Sequence, residues 1–217
     1  MGGDHLEGLA ATPSDDGGFV RLLATPGVTE VLELRSTFGF MAFHGGELEA
    51  VTDIVAAGAA EAAGASYYGV LHPAGLDVHL PSTRFRPADS PALARFIGHV
   101  DIVVAVHGYG RRDRWTQLLL GGANRDLAVH LADHLGPVLT GYQLVTDLDD
   151  IPTGLRGLHR DNPVNLPPDR GVQIELPPRV RGRSPLSPPA GPDGLSPPTA
   201  ALIRGLAEAA RAWPAST

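Results

Sequence analysis

Two apolar runs that each end in His-Gly constrain this chain more than any other feature. Phe38-Gly39-Phe40-Met41-Ala42-Phe43 leads into His44-Gly45-Gly46-Glu47-Leu48-Glu49, and Asp101-Ile102-Val103-Val104-Ala105-Val106 leads into His107-Gly108. The second run is β-branched and nearly continuous, as a strand buried on both faces is. The glycines after each histidine read as the strand leaving its sheet through a tight turn. In an open α/β sheet, ligands bind beyond the carboxyl ends of the strands. If the two strands are neighbours, both imidazoles reach one crevice.

The rest of the chain alternates strand and helix signals. Val28–Leu34 reads as a strand before the 38–43 run. Thr52 is placed to cap a helix reaching Ala63, with Gly64 as its stop. Tyr67–Leu71 and the alternating Leu76–Leu80 read as strands. Pro91–Gly98 reads as a short helix with proline in its first turn. Trp115–Leu120 is a strand candidate, Asn124 caps a helix to Leu135, and Tyr142–Val145 and Val172–Leu176 are strands. Residues 147–170 form a long loop, of the kind that is functional or disordered. This interleaving predicts a three-layer α/β domain, a mixed and mostly parallel sheet flanked by helices. Residues 1–18 read as a flexible N-terminal tail, 19–183 as the domain, 184–199 as a Pro-rich linker and 200–217 as a C-terminal helix.

Composition narrows the chemistry. With no Cys among 217 residues, thiolate metal sites and disulfides are excluded, and any metal must be held by His, Asp or Glu. The net charge of -7 argues against a nucleic-acid partner, which needs a basic footprint. No apolar stretch is long enough for a membrane span, and the start lacks a secretory pattern, so the cytoplasm is the expected compartment.

His44 and His107 with Glu47 or Glu49 make a His, His, carboxylate set. Many catalytic zinc sites use such a set and leave one position open for water. A base is then needed, and Glu175 is the candidate: in VQIEL it points opposite Val172, Ile174 and Leu176, on the side of Gln173. His130 and His134 have the i,i+4 spacing of a metal pair, but Leu131 stands where an HExxH motif needs glutamate. His5, His72, His99 and His159 have no metal-like neighbours in sequence. His79, Ser82 and Arg84 lie on a polar segment placed to line the site. Arg111 and Arg112 follow His107, and Arg181 follows Glu175. Arginine beside the site would favour a carboxylate-bearing substrate.

Taken in order, these segments resemble the phage-type poly-γ-glutamate hydrolase family. His44-Gly45-Gly46-Glu47-Leu48-Glu49 with Thr52 resembles its His-Gly-Gly-x-Ile/Leu-Glu…Thr motif, and Val78–Thr83 its Leu-His-Ile-Thr-Ser segment. Val106-His107-Gly108, Leu120-Gly121-Gly122 and Gly171–Leu176 follow in the family's order. The resemblance spans about residues 38–182. It implies a zinc carboxypeptidase-like fold and a Zn2+-dependent amidohydrolase that cleaves γ-glutamyl amide bonds. It also implies zinc ligands His44, Glu49 and His107, with Glu175 as general base. The family's turn has Gly and then Pro-Gly where this chain has Glu47 and Ala50-Val51. Two other readings are a zinc deacylase of small N-acyl or γ-glutamyl compounds and a non-catalytic binding domain on the same fold.

Overall fold

The structure, a computed structural model, describes residues 17–214. His5 and all but the last two residues of the expected tail lie outside that range, and Gly18 already opens a helix. Helix α1 spans Gly18–Leu23, β1 Thr29–Glu33, β2 Ser36–Gly46, α2 Thr52–Ala63, β3 Ala65–His72 and α3 Pro91–Ile97. Then follow β4 Ile102–Gly108, β5 Gln117–Leu120, α4 Arg125–Leu135, β6 Gln143–Val145, β7 Gly171–Leu176 and α5 Pro197–Ala212.

The strands form one sheet in the order β1-β3-β2-β4-β7-β5-β6. The centre, β3-β2-β4-β7, is parallel, while β1 and β5 run antiparallel to their inner neighbours. Alternate residues of the central strands enter separate cores. Phe40, Val104, Ile174 and Leu176 pack on one face with α2, α4 and α5 through Val55, Leu127, Leu131, Leu202 and Leu206. Met41, Phe43, Val103 and Ala105 pack on the other with Phe19 and Leu22 of α1 and Leu93 and Phe96 of α3. Burial on both faces explains why β4 has no polar residue before His107.

Three local expectations change. Leu76–Leu80 alternates but forms no strand. Pro73 and Pro81 bracket it, Val78 is exposed, and only Leu80 is buried. Thr52 does not cap α2; Val51 holds that position with no side-chain cap, and the Thr52 hydroxyl donates to the Glu49 carbonyl at 2.8 Å. Helix α5 begins at Pro197, because Ser196 accepts from the Thr199 N–H and both prolines fit the first turn. No helix among the described residues is long and apolar enough to cross a membrane.

Candidate active site

β2 pairs with β3 on one side and β4 on the other, so His44 and His107 leave adjacent parallel strands at the same sheet edge. The β2–β3 register shifts between Ala42 and Gly45, and His44 falls in that shift, where a bulge re-aims the side chain. Gly46 then turns the chain at φ 70; a Cβ there would stand 2.4 Å from the His72 carbonyl oxygen. Only glycine fits such an approach.

The turn folds Glu49 back over the strand end. Its N–H donates to the His44 carbonyl at 2.8 Å, and Arg181 donates to the Ala50 carbonyl at 3.0 Å. Glu49 Oε1 lies 3.0 Å from His44 Nδ1 and 3.4 Å from His79 Nε2. Oε2 accepts the Gly108 N–H at 2.8 Å and lies 3.6 Å from His107 Nδ1. Glu47 is exposed and faces a separate shallow cavity with Leu76 and Asp77, so the two carboxylates that spacing leaves equivalent are separated by the turn. Burial raises the Glu49 carboxyl, but His107, His44 and His79 outweigh it and hold it well below the usual carboxylate range. Burial depresses His44 despite Glu49 and keeps it neutral; at His107 burial acts the same way, but Glu49 overcomes it and the net shift is upward.

Glu175 is paired with His107 across the parallel β4–β7 ladder, so both side chains leave the same face. It is 3% exposed. Burial pushes its carboxyl up to about 7, against the attraction of His107. A carboxyl poised there can exchange a proton near neutral pH.

These residues line a cavity of about 330 Å³. His44, Glu49, His79, Ser82, His107 and Glu175 all face it, as the sequence leads one to expect. Arg84, Arg111, Arg112 and Arg181 do not, and no arginine among the described residues lines it. Arg111 and Arg112 are exposed, and Arg84 is half-buried in the 3₁₀ turn Ser82–Arg84. The Arg181 guanidinium is engaged by the carbonyls of Leu176 and Ala50. The cavity is also lined by residues that spacing does not single out: Thr153, Leu155, His159 and Asn162 of the long loop, and Gln173 beside Glu175. Two signals pointed there, the length of the 147–170 loop and the shared face of Gln173 and Glu175.

The donor set fits a metal ion. His44 Nε2 lies 2.8 Å from the Leu80 carbonyl, which only accepts, so that nitrogen carries the proton. Nδ1 is left as a buried lone pair without a hydrogen bond, facing a carboxylate oxygen. Two acceptors 3.0 Å apart repel unless a cation lies between them. The Leu80 carbonyl is the outer partner that usually orients a ligating imidazole. Donor atoms of His44, Glu49 and His79 lie within 4.8 Å of one another, and the other Glu49 oxygen faces His107.

A mixed sheet between helical layers, with histidines and carboxylates gathered at its carboxyl edge, is an α/β fold consistent with the zinc carboxypeptidase-like architecture. The family is narrower: residues 25–184 match the profile of Poly-gamma-glutamate hydrolase, and the chain belongs to that family of hydrolases. Among solved structures it is similar to a bacteriophage poly-gamma-glutamate hydrolase, at 20% identity and TM-score 0.68, covering 88% of this chain and 92% of the other. It is also similar to YNDL in its apo, zinc-free form, at 26% identity and TM-score 0.58, covering 69% and 71%. No curated protein matches the sequence.

Proposed function

We propose that the chain is a zinc-dependent hydrolase of γ-glutamyl amide bonds, acting on poly-γ-glutamate or a related carboxylate-rich amide. The observation that carries the reading is a buried His44 Nδ1 without a hydrogen bond, 3.0 Å from one oxygen of Glu49 whose other oxygen lies 3.6 Å from His107, beside the buried Glu175. His44, Glu49 and His107 would hold the zinc, and His79 is near enough to Glu49 to adjust the set. When bound, zinc polarises the amide carbonyl and acidifies its water.

The protein's own part is proton handling and binding. Glu175 takes a proton from the attacking water and delivers it to the leaving nitrogen. Buried walls around it keep bulk water from competing. Ser82, Thr83 and Thr153 line the cavity and offer neutral hydroxyls to the chain flanking the scissile bond. Arg84 follows the lining residue Thr83, and Arg111 and Arg112 lie just beyond Gly108, so a polymer extending past the cavity would meet cations there.

A second reading is a hydrolase of small γ-glutamyl or N-acyl amides, and the absence of arginine from the cavity wall favours it. Elemental analysis combined with digestion of poly-γ-glutamate separates the readings. Stoichiometric zinc and shortened polymer support the first. Zinc with activity only on small amides supports the second, and a protein that neither retains nor responds to zinc overturns both.

A further inference from the structure

We infer that Asn162 and Gln173 are positioning residues: a polarised chain of two side-chain amides that fixes which oxygen of Glu175 is free to take a proton. This rests on the reading of Glu175 as the base.

The chain has one direction. It starts at the backbone N–H of Val164, which can only donate, and which reaches Asn162 Oδ1 at 3.3 Å. The other end of that amide is therefore Nδ2, and it donates to Gln173 Oε1 at 2.9 Å. The far end of the Gln173 amide is then Nε2, which donates to Glu175 Oε1 at 2.8 Å and reaches the Leu155 carbonyl at 3.4 Å. Oxygen and nitrogen of an amide are hard to tell apart by shape, so their assignment comes from their partners. Here an obligate donor at one end and a carboxylate acceptor at the other demand the same assignment.

Each link is buried: Asn162 is 4% exposed, Gln173 6% and Glu175 3%. Reversing either amide would set acceptor against acceptor out of water, where a lost hydrogen bond is most costly. The loop is shaped to admit the chain. Gly157 has φ 65, and a Cβ there would stand 2.7 Å from Gln173 Oε1. Asn165 Nδ2 holds the Gly157 carbonyl at 2.7 Å. With Oε1 of Glu175 occupied by Gln173, Oε2 is the oxygen left to take the proton, and Glu175 lines the cavity. The 153–165 loop thus reaches the proton-transfer atom through Asn162 and Gln173.

Asn162→Asp tests this with almost no change of shape. The new carboxylate still accepts from Val164 but cannot donate to Gln173, whose amide then turns and presents its oxygen to Glu175. We expect kcat on poly-γ-glutamate to fall roughly 10- to 100-fold, the scale of a misplaced reacting group. The loss should fall on kcat, with KM and zinc content within about twofold, since the substitution keeps the shape of the side chain and touches no proposed zinc ligand. Gln173→Met, which removes the donor, should behave alike. Glu175→Gln run in parallel isolates the underlying reading: if it keeps full kcat, the base assignment fails, whatever the other variants do. If it abolishes turnover while Asn162→Asp and Gln173→Met keep wild-type kcat, or lose zinc and KM together with kcat, the relay is overturned. Should either variant not fold, NMR of the unsubstituted protein decides. One Gln173 Nε2 proton shifted downfield and protected from exchange supports the relay, and two freely exchanging protons overturn it.

Discussion

Glu175 stands directly opposite His107 in the parallel pairing of β7 and β4. Residues so paired leave the same face of the sheet, and here both are fully buried at its carboxyl edge. The proposed base and a proposed metal ligand are therefore held by one ladder of backbone hydrogen bonds. Loops need not close to bring them together.

Replacing Glu175 by Gln keeps the volume and the acceptor for Gln173 but removes the proton carrier. Turnover of poly-γ-glutamate should fall about 10²- to 10⁴-fold, the usual contribution of a positioned acid–base group. Zinc content measured on the same sample should not change.

The same substitution should stabilise the metal-free protein at high pH. Burial holds the folded Glu175 carboxyl up to about 7, above its unfolded value. Between those two values the folded state keeps a proton that the unfolded state releases, so stability falls as pH rises and levels off above about 7. Metal-free Glu175→Gln should therefore be more stable than wild type at pH 8, by roughly 1–3 kcal/mol, and lose that advantage below about pH 4. Chemical denaturation at both pH values in the presence of a chelator checks it.

Zinc should raise the melting temperature of the protein, because a ligand of the folded state alone stabilises it. At a hundredfold excess over Kd the gain is about 2.7 kcal/mol. Glu49→Gln should remove most of it, since Glu49 faces His44, His79 and His107 together. Calorimetric scans with and without added zinc read both effects.

Val51, two residues after Glu49, has φ 82, a left-handed conformation that a β-branched residue rarely adopts. Glycine is free there and alanine is not. Val51→Gly should thus melt above Val51→Ala, by about 1 kcal/mol. Thermal denaturation of the pair tests it without involving activity.

Helix α5 completes one core, with Leu202 and Leu206 fully buried against the sheet layer. Leu206→Ala should cost about 2–5 kcal/mol, the range for emptying a packed site. Urea denaturation of the variant measures the loss, and a change under 1 kcal/mol would mean that the helix is dispensable.

Much of the framework was legible because burial leaves marks at short range. A strand covered on both faces must be apolar at every position, so β2 and β4 stand out, and the polar residues that end them mark the sheet edge. Glu175 was legible for the same reason, as a carboxylate alternating with Val172, Ile174 and Leu176. Where alternation was not caused by burial it misled: Leu76, Val78 and Leu80 repeat like a strand but form none. That segment still matters to the site, because it brings His79 to Glu49 and the Leu80 carbonyl to His44.

By itself the sequence determined the layered α/β domain and set two histidines and a candidate carboxylate at its edge, because periodicity and turn residues are local properties. Only the tertiary structure decided which acidic residue of the Glu47–Glu49 turn faces the histidines. It alone withheld arginine from the cavity wall and carried the loop amide of Asn162 through Gln173 to Glu175. Those outcomes depend on how a glycine turn, a backbone carbonyl and a distant loop approach one another in space, and no spacing along the chain encodes that approach.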